Sequence, residues 1–266
     1  MTVISTFVTH LGVIHATDSL ITTLSSNGIN NPITWRGKKL LKVPSMKGIM
    51  SYWGLARIDA QNWSTVNWLE RQIHGSNSFS DPETFAIHIA TELQNEYRRL
   101  AIETDPRYGL GIHFSAYERI NGNFVPELFL ISNWGDTSYT SIRTNGFGAT
   151  RETSANAFNM RENIGHPDST MRLMFYKWLN HGNYLIFNNG DPILYNYSAK
   201  AMNEMVRVLI GRQVLRPPNR LRDFVNIAKF PVDTVSYIQR TLCRRGTQIV
   251  GGNTRYLSVD RNGVYV

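Results

Sequence analysis

Over residues 2–16 apolar and polar positions alternate imperfectly in a stretch rich in Val, Ile and Thr, which predicts one or two strands joined near His10-Leu11-Gly12. Polar and turn-forming residues fill 22–37, and strand patterning resumes at Lys39-Leu40-Leu41-Lys42-Val43. A turn over Pro44–Gly48 leads into Ile49-Met50-Ser51-Tyr52-Trp53, a further strand closing on Gly54. The early chain therefore predicts a sheet of short antiparallel pieces.

Helical spacing follows. Asp59 is placed to cap a segment carrying Trp63, Val66, Trp68 and Leu69, and Ser80-Asp81-Pro82-Glu83 is a second helix start, with proline in the first turn and acids at the positive end of the dipole. The helix predicted over about 82–102 sets Phe85, Ile89, Leu93, Tyr97 and Leu100 on one face. Strands return at Gly109–Tyr117 and Glu127–Ser132, with Asn121-Gly122 as a hairpin turn. Residues 135–170 carry weak periodicity and predict no element. Helices are predicted over 171–181 and 196–213, separated by the strand Tyr184-Leu185-Ile186-Phe187, and Arg216-Pro217-Pro218-Asn219 breaks the chain. A last helix over about 231–243 precedes Gln248-Ile249-Val250-Gly251-Gly252 and closing strands around 256–259 and 264–266. The order of strands, helices, strands, helices and strands predicts one α+β domain over residues 1–266, with helices outside packed sheets.

Composition narrows the class. With 42% hydrophobic and 18% charged residues in 266, the chain is globular and long enough to bury a sizeable core. It has no apolar run of membrane-spanning length, and its start lacks the basic region and apolar core of a signal peptide, so a cytoplasmic location is expected. Cys243 is the one cysteine, which leaves neither an intrachain disulfide nor a cysteine metal cluster. The net charge of +8 raises nucleic-acid binding. Its later basic residues, Arg207, Arg212, Arg216, Arg220, Arg222, Arg240, Arg244 and Arg245, come with no nucleic-acid module. They read as solvated faces or contacts to acidic partner surfaces.

The chemistry is sought first among nucleophiles. A threonine hydroxyl needs a base within reach, and a threonine at the chain's start carries one in its own α-amine. That amine titrates near about 7.7–8.0, so part of it is neutral at working pH. A buried lysine aimed at it lowers its pKa further. Thr2 becomes such a residue once Met1 is removed. Backbone N–H groups are then needed for the oxyanion.

Spacing supplies the rest. Thr2 is followed by Gly12-Val13-Ile14-His15-Ala16-Thr17-Asp18-Ser19, then by Lys38-Lys39-Leu40-Leu41-Lys42-Val43 and by Tyr52-Trp53-Gly54-Leu55-Ala56. In these segments the chain resembles the proteasome β-type subunits and their bacterial heat-shock peptidase relative. The resemblance covers residues 2 to about 132 well and 184–266 loosely, and leaves about 135–183 unplaced. It implies an N-terminal nucleophile (Ntn) hydrolase with a four-layer αββα sandwich. It further implies Thr2 as nucleophile, Lys39 as supporting lysine, Asp18 as its carboxylate partner and the backbone at Gly54 as oxyanion donor. No cofactor or metal is called for. The expected partners are a peptide or protein substrate, other copies of the chain in a ring, and an ATP-dependent unfoldase.

This sequence also departs from the family. Asn188-Asn189-Gly190 stands where a Gly-Ser-Gly turn is common, and Thr247 and Val250 stand where an Asp and a Ser precede the late glycines. A catalytically inactive subunit with an assembly or binding role is thus the alternative, and nucleic-acid binding is a third. None of the seven histidines has metal-ligand spacing, so each reads as structural or exposed. Gly109-x-Gly111 lacks the remainder of a dinucleotide fingerprint, neither Ser19 nor Ser51 sits in a nucleophile elbow, and Trp53, Trp63 and Trp68 read as core or subunit contact.

Overall fold

A computed structural model describes residues 3–24, 30–135, 141–153, 168–189, 192–214, 216, 218–242 and 250–265. The predicted opening strands are β1 (Ile4–Thr9) and β2 (Val13–Thr17), an antiparallel pair with Val8 opposite Val13. They share a four-stranded sheet with β12 (Tyr184–Asn189) beside β1 and β13 (Arg255–Val259) beside β2. A second sheet runs β11 (Gly148–Arg151), β10 (Asn123–Ser132), β9 (Leu110–Ile120), β6 (Gly48–Gly54), β5 (Leu40–Val43). Every pairing in both sheets is antiparallel. The early strands thus divide between two sheets, a separation that alternation along the chain does not encode.

Because side chains alternate across a strand, each sheet presents two faces. Phe7, Ile14 and Ala16 face outward from the first sheet and pack against helix α5 (Leu221–Leu242) through Phe224, Val225, Ala228, Val232 and Val235. Met50, Tyr52, Ile112, Phe114, Phe129 and Ile131 do the same on the second sheet. They meet Trp68 and Leu69 of α1 (Thr65–His74) and Phe85, Ile89, Leu93 and Tyr97 of α2 (Pro82–Arg99). The inner faces meet through Val8, Val13 and Val259 on one side and Ile49, Tyr117 and Leu128 on the other. Phe175 and Leu179 of α3 (Asp168–Asn180) complete that cluster. The result is a mixed α/β architecture of antiparallel sheets with helices packed on them.

Several boundaries differ from expectation. Residues 22–37 hold a hairpin, β3 (Ile21–Leu24) with β4 (Asn30–Thr34), rather than only turn. Asp59 opens a short 3-10 turn, whereas α1 begins after Ser64, whose Oγ accepts from Asn67 N; Trp63 lies in the two-residue strand β8 (Trp63–Ser64) paired with β7 (Arg57–Ile58). The last helix starts at Leu221, ten residues before Pro231, which is buried inside it. An interior proline costs about 3 kcal/mol in a helix. Burial of the stripe from Phe224 to Val235 outweighs that cost, since each large apolar side chain contributes about 1.5–3 kcal/mol. The other predicted helix is α4 (Pro192–Gly211).

From the unplaced segment, Arg151, Thr153 and Arg172 meet at a buried carboxylate. Glu127 of β10 is fully buried; its Oε2 accepts from Thr153 Oγ1 at 2.6 Å and its Oε1 from Arg172 Nε at 2.5 Å. Arg151 Nε lies 3.6 Å from the same carboxylate, and Arg172 also meets Glu118. Burial pushes the Glu127 pKa up, while the arginines hold the charged form.

The C-terminal arginines that fall among the described residues are exposed, and Arg207 and Arg216 pair with Glu204 and Asp223. Arg244, Arg245, Cys243 and Thr247 lie outside the described residues. Among the described residues no helix is long and apolar enough to cross a membrane.

Candidate functional site

Asp18 follows the last residue of β2, where the chain leaves the sheet. The ladder continues one step further, with Asp18 N donating to Val3 O at 3.4 Å. Asp18 then turns its carboxylate inward to collect donors from its neighbour Leu20 and from three segments remote in sequence. Oδ1 accepts from Val3 N at 3.1 Å and from Lys39 Nζ at 3.0 Å; Oδ2 accepts from Leu20 N and from Gly251 N, each at 3.2 Å. Both charged side chains are buried, Lys39 at 1% and Asp18 at 0% exposure. Burying two ions costs several kcal/mol each unless hydrogen bonds satisfy them, and four donors on one carboxylate meet that condition. Burial lowers the Lys39 pKa from the usual lysine range, and the adjacent Asp18 charge opposes the fall.

The geometry brings Lys39 to the start of β1. One carboxylate oxygen holds both its ammonium and the N–H of Val3, and that N–H belongs to the peptide bond from residue 2. Thr2 itself lies outside the described residues. Gly54 ends β6 at φ +89°, where a Cβ would come within 2.1 Å of Gly109 O, so only glycine fits. Gly54, Lys39, Tyr52, Leu20 and Thr22 line one small pocket of about 30 Å³, room enough for a water molecule. Asp18, Lys39 and Gly54, far apart in sequence, are therefore drawn together.

Behind them lies a polar layer that the sequence reading did not identify. Toward the end of the sheets that carries Asp18, the inner faces hold hydroxyls and imidazoles in place of valines. His15 spans the gap, its Nδ1 2.8 Å from Ser51 Oγ and its Nε2 2.8 Å from Ser115 Oγ. His113 meets Thr6 Oγ1 through Nδ1 at 2.8 Å and Asn189 Oδ1 through Nε2. The two rings lie 6.1 Å apart. Burial drives the His15 pKa well below the usual value and brings His113 to about 4. The available signal was positional: Thr6, His15, Ser51, His113 and Ser115 interrupt apolar strands at inward positions.

Ser19 Oγ donates to Trp35 O at 2.7 Å and accepts from Asn253 N at 2.9 Å, a structural role. Gly109 and Gly111 make room for rings, with Trp134 and Trp53 occupying the space a Cβ would need. Trp53, Trp63 and Trp68 are buried core. Asn189, at the departure from the family turn, is engaged by His113, and Val250 N donates to Gln239 Oε1 at 2.8 Å. Gly190 lies outside the described residues. Among the described residues, no group of three or more His, Cys, Asp or Glu is arranged to hold a metal ion.

No protein-family model matches this chain, and no curated protein does. Among solved structures it is similar to Anbu (ancestral beta-subunit) from Yersinia bercovieri, with a TM-score of 0.52 at 12% identity over 99% of this chain and 84% of that one. At that identity the likeness is one of fold: the antiparallel sheets with helices packed on them are shared with that protein.

Proposed function

We propose that this chain is a proteasome-like Ntn hydrolase in which Thr2, exposed by removal of Met1, cleaves amide bonds, most naturally those of peptides. The observation that carries the proposal is the shared Asp18 oxygen, which ties the buried Lys39 ammonium to the N–H of Val3, the residue next to Thr2. In this reading the helices and two sheets form a single-domain four-layer αββα sandwich, with the site at one end of its inner layer.

Thr2 Oγ attacks the substrate carbonyl while the α-amine takes the hydroxyl proton, and the tetrahedral oxyanion is held by the backbone at Gly54. The amine then returns the proton to the leaving nitrogen. Water, activated by the same amine, clears the ester. The positive charge of Lys39 favours the neutral amine and steadies the developing negative charge, and Asp18 fixes its position. No cofactor enters these steps. Ring assembly from copies of the chain, a cytoplasmic location and an ATP-dependent unfoldase as partner belong to the same proposal.

A second reading, an inactive proteasome-like subunit that assembles or binds, is favoured by one observation: the Asn189 amide oxygen is committed to His113 at the turn where the family supplies a serine. Intact-mass measurement and hydrolysis of fluorogenic peptides separate the two. The catalytic reading expects a chain starting at Thr2, turnover that disappears in Thr2→Ala, and labelling by a threonine-directed electrophile. Retained Met1, or peptide hydrolysis unchanged in Thr2→Ala, overturns it.

A further inference from the structure

A second cavity adjoins the loop whose Gly251 anchors Asp18. It is a groove of about 620 Å³ between one face of α5 and residues 252–254, within the size range of small-molecule sites. Asp233, Ser236, Tyr237 and Arg240 recur on that face at helical spacing, and the wall opposite is Gly252, Asn253 and Thr254. Two of its hydroxyls are orphaned. Ser236, only 8% exposed, and Thr254 each have a buried side-chain oxygen with no hydrogen-bond partner among the described residues. A buried hydroxyl left unpaired costs about 1–3 kcal/mol, which a ligand hydrogen-bonding there would recover.

Charge gives the groove direction. Asp233 and Arg240 are exposed, and among the described residues neither has an ion-pair partner. Seven residues apart on the helix, they are separated by about 10 Å along its axis. Three extended residues, at about 3.3–3.6 Å each, fill that span. We propose that the groove binds a short peptide with free termini, its carboxylate forked by Arg240 and its ammonium on Asp233. The backbone between the termini hydrogen-bonds Ser236 and Thr254, and Tyr237 covers it. The fork geometry of a guanidinium suits a terminal carboxylate, and a carboxylate alone accounts for the ammonium end. The groove shares no lining residue with the pocket at Lys39 and Gly54. Its wall continues into Gly251, whose N–H holds Asp18.

Isothermal titration of the full-length protein with Ala-Ala-Ala, its N-acetyl form and its C-terminal amide tests this, in wild type and in Thr2→Ala so that binding and hydrolysis are read apart. The free tripeptide is expected to bind one site per chain in both proteins, with each blocked terminus weakening it about tenfold. Arg240→Gln should abolish the penalty of the amide only, and Asp233→Asn that of the acetyl group only; Ser236→Ala should weaken all three ligands alike. Absence of tripeptide binding, or blocking penalties that persist in both charge variants, overturns the proposal.

Discussion

Asp18→Ala is expected to destabilise the protein more than Lys39→Met, although the two side chains form one ion pair. The reason lies in the number of donors on each side. Removing the Asp18 carboxylate leaves the Lys39 ammonium buried and takes the acceptor from the N–H groups of Val3, Leu20 and Gly251. Breaking a buried pair costs about 3–5 kcal/mol, and each amide left without an acceptor adds about 1–3 kcal/mol where water does not replace it. The sum is about 5 kcal/mol or more, a large share of a typical stability of about 5–15 kcal/mol. Replacing Lys39 by methionine keeps the stem's volume and leaves Asp18 its three backbone donors, so the loss, which includes the charged hydrogen bond to Asp18 at about 1.5–3 kcal/mol, is the smaller of the two. The difference, about 2 kcal/mol or more, corresponds to about 4–8 °C in Tm for a chain of this size. Urea denaturation followed by tryptophan fluorescence and far-UV circular dichroism measures both variants. Asp18→Asn, which retains an acceptor oxygen, belongs between them. If Lys39→Met proves as destabilising as Asp18→Ala, the carboxylate is not the hub of this cluster.

Two further outcomes follow from the same geometry. Gly54→Ala forces a left-handed φ on an L-residue and drives its Cβ against Gly109 O, so a loss of about 2 kcal/mol or more is expected in chemical denaturation, with peptide hydrolysis abolished; a wild-type midpoint would contradict the backbone geometry. His113 is neutral in the fold and titrates near 6.5 when unfolded, so the unfolded chain binds the extra proton first and stability falls as pH drops from 6.5 toward about 4, by about 3 kcal/mol in full. The His15 shift acts in the same direction. His113→Asn should flatten the stability-against-pH curve in that window, and an unchanged slope would remove His113 as its source.

The elements were legible wherever periodicity and turn chemistry agreed. The hairpin through Asn121-Gly122, the α2 start at Asp81-Pro82 and the β1–β2 pair all fall where local residues point. Reading failed where burial overruled a local signal. Pro231 looked like a helix start, yet the stripe from Phe224 to Val235 carries the helix through it. The 135–170 stretch carries weak periodicity, and at its described residue Thr153 the chain is held by a hydrogen bond to Glu127 rather than by an apolar face.

The sequence by itself determined the residue types and the order of strands and helices, since both are written in side-chain chemistry and spacing. It also made Thr2, Asp18, Lys39 and Gly54 candidates through their resemblance to a family. Only the tertiary structure decided that Lys39 and the N–H of Val3 share one oxygen of Asp18, and that two imidazoles are buried neutral behind them. The physical reason is distance. A carboxylate becomes an anchor when donors from residues 3, 39 and 251 converge on it beside its neighbour Leu20, and no local pattern reports where such remote segments meet.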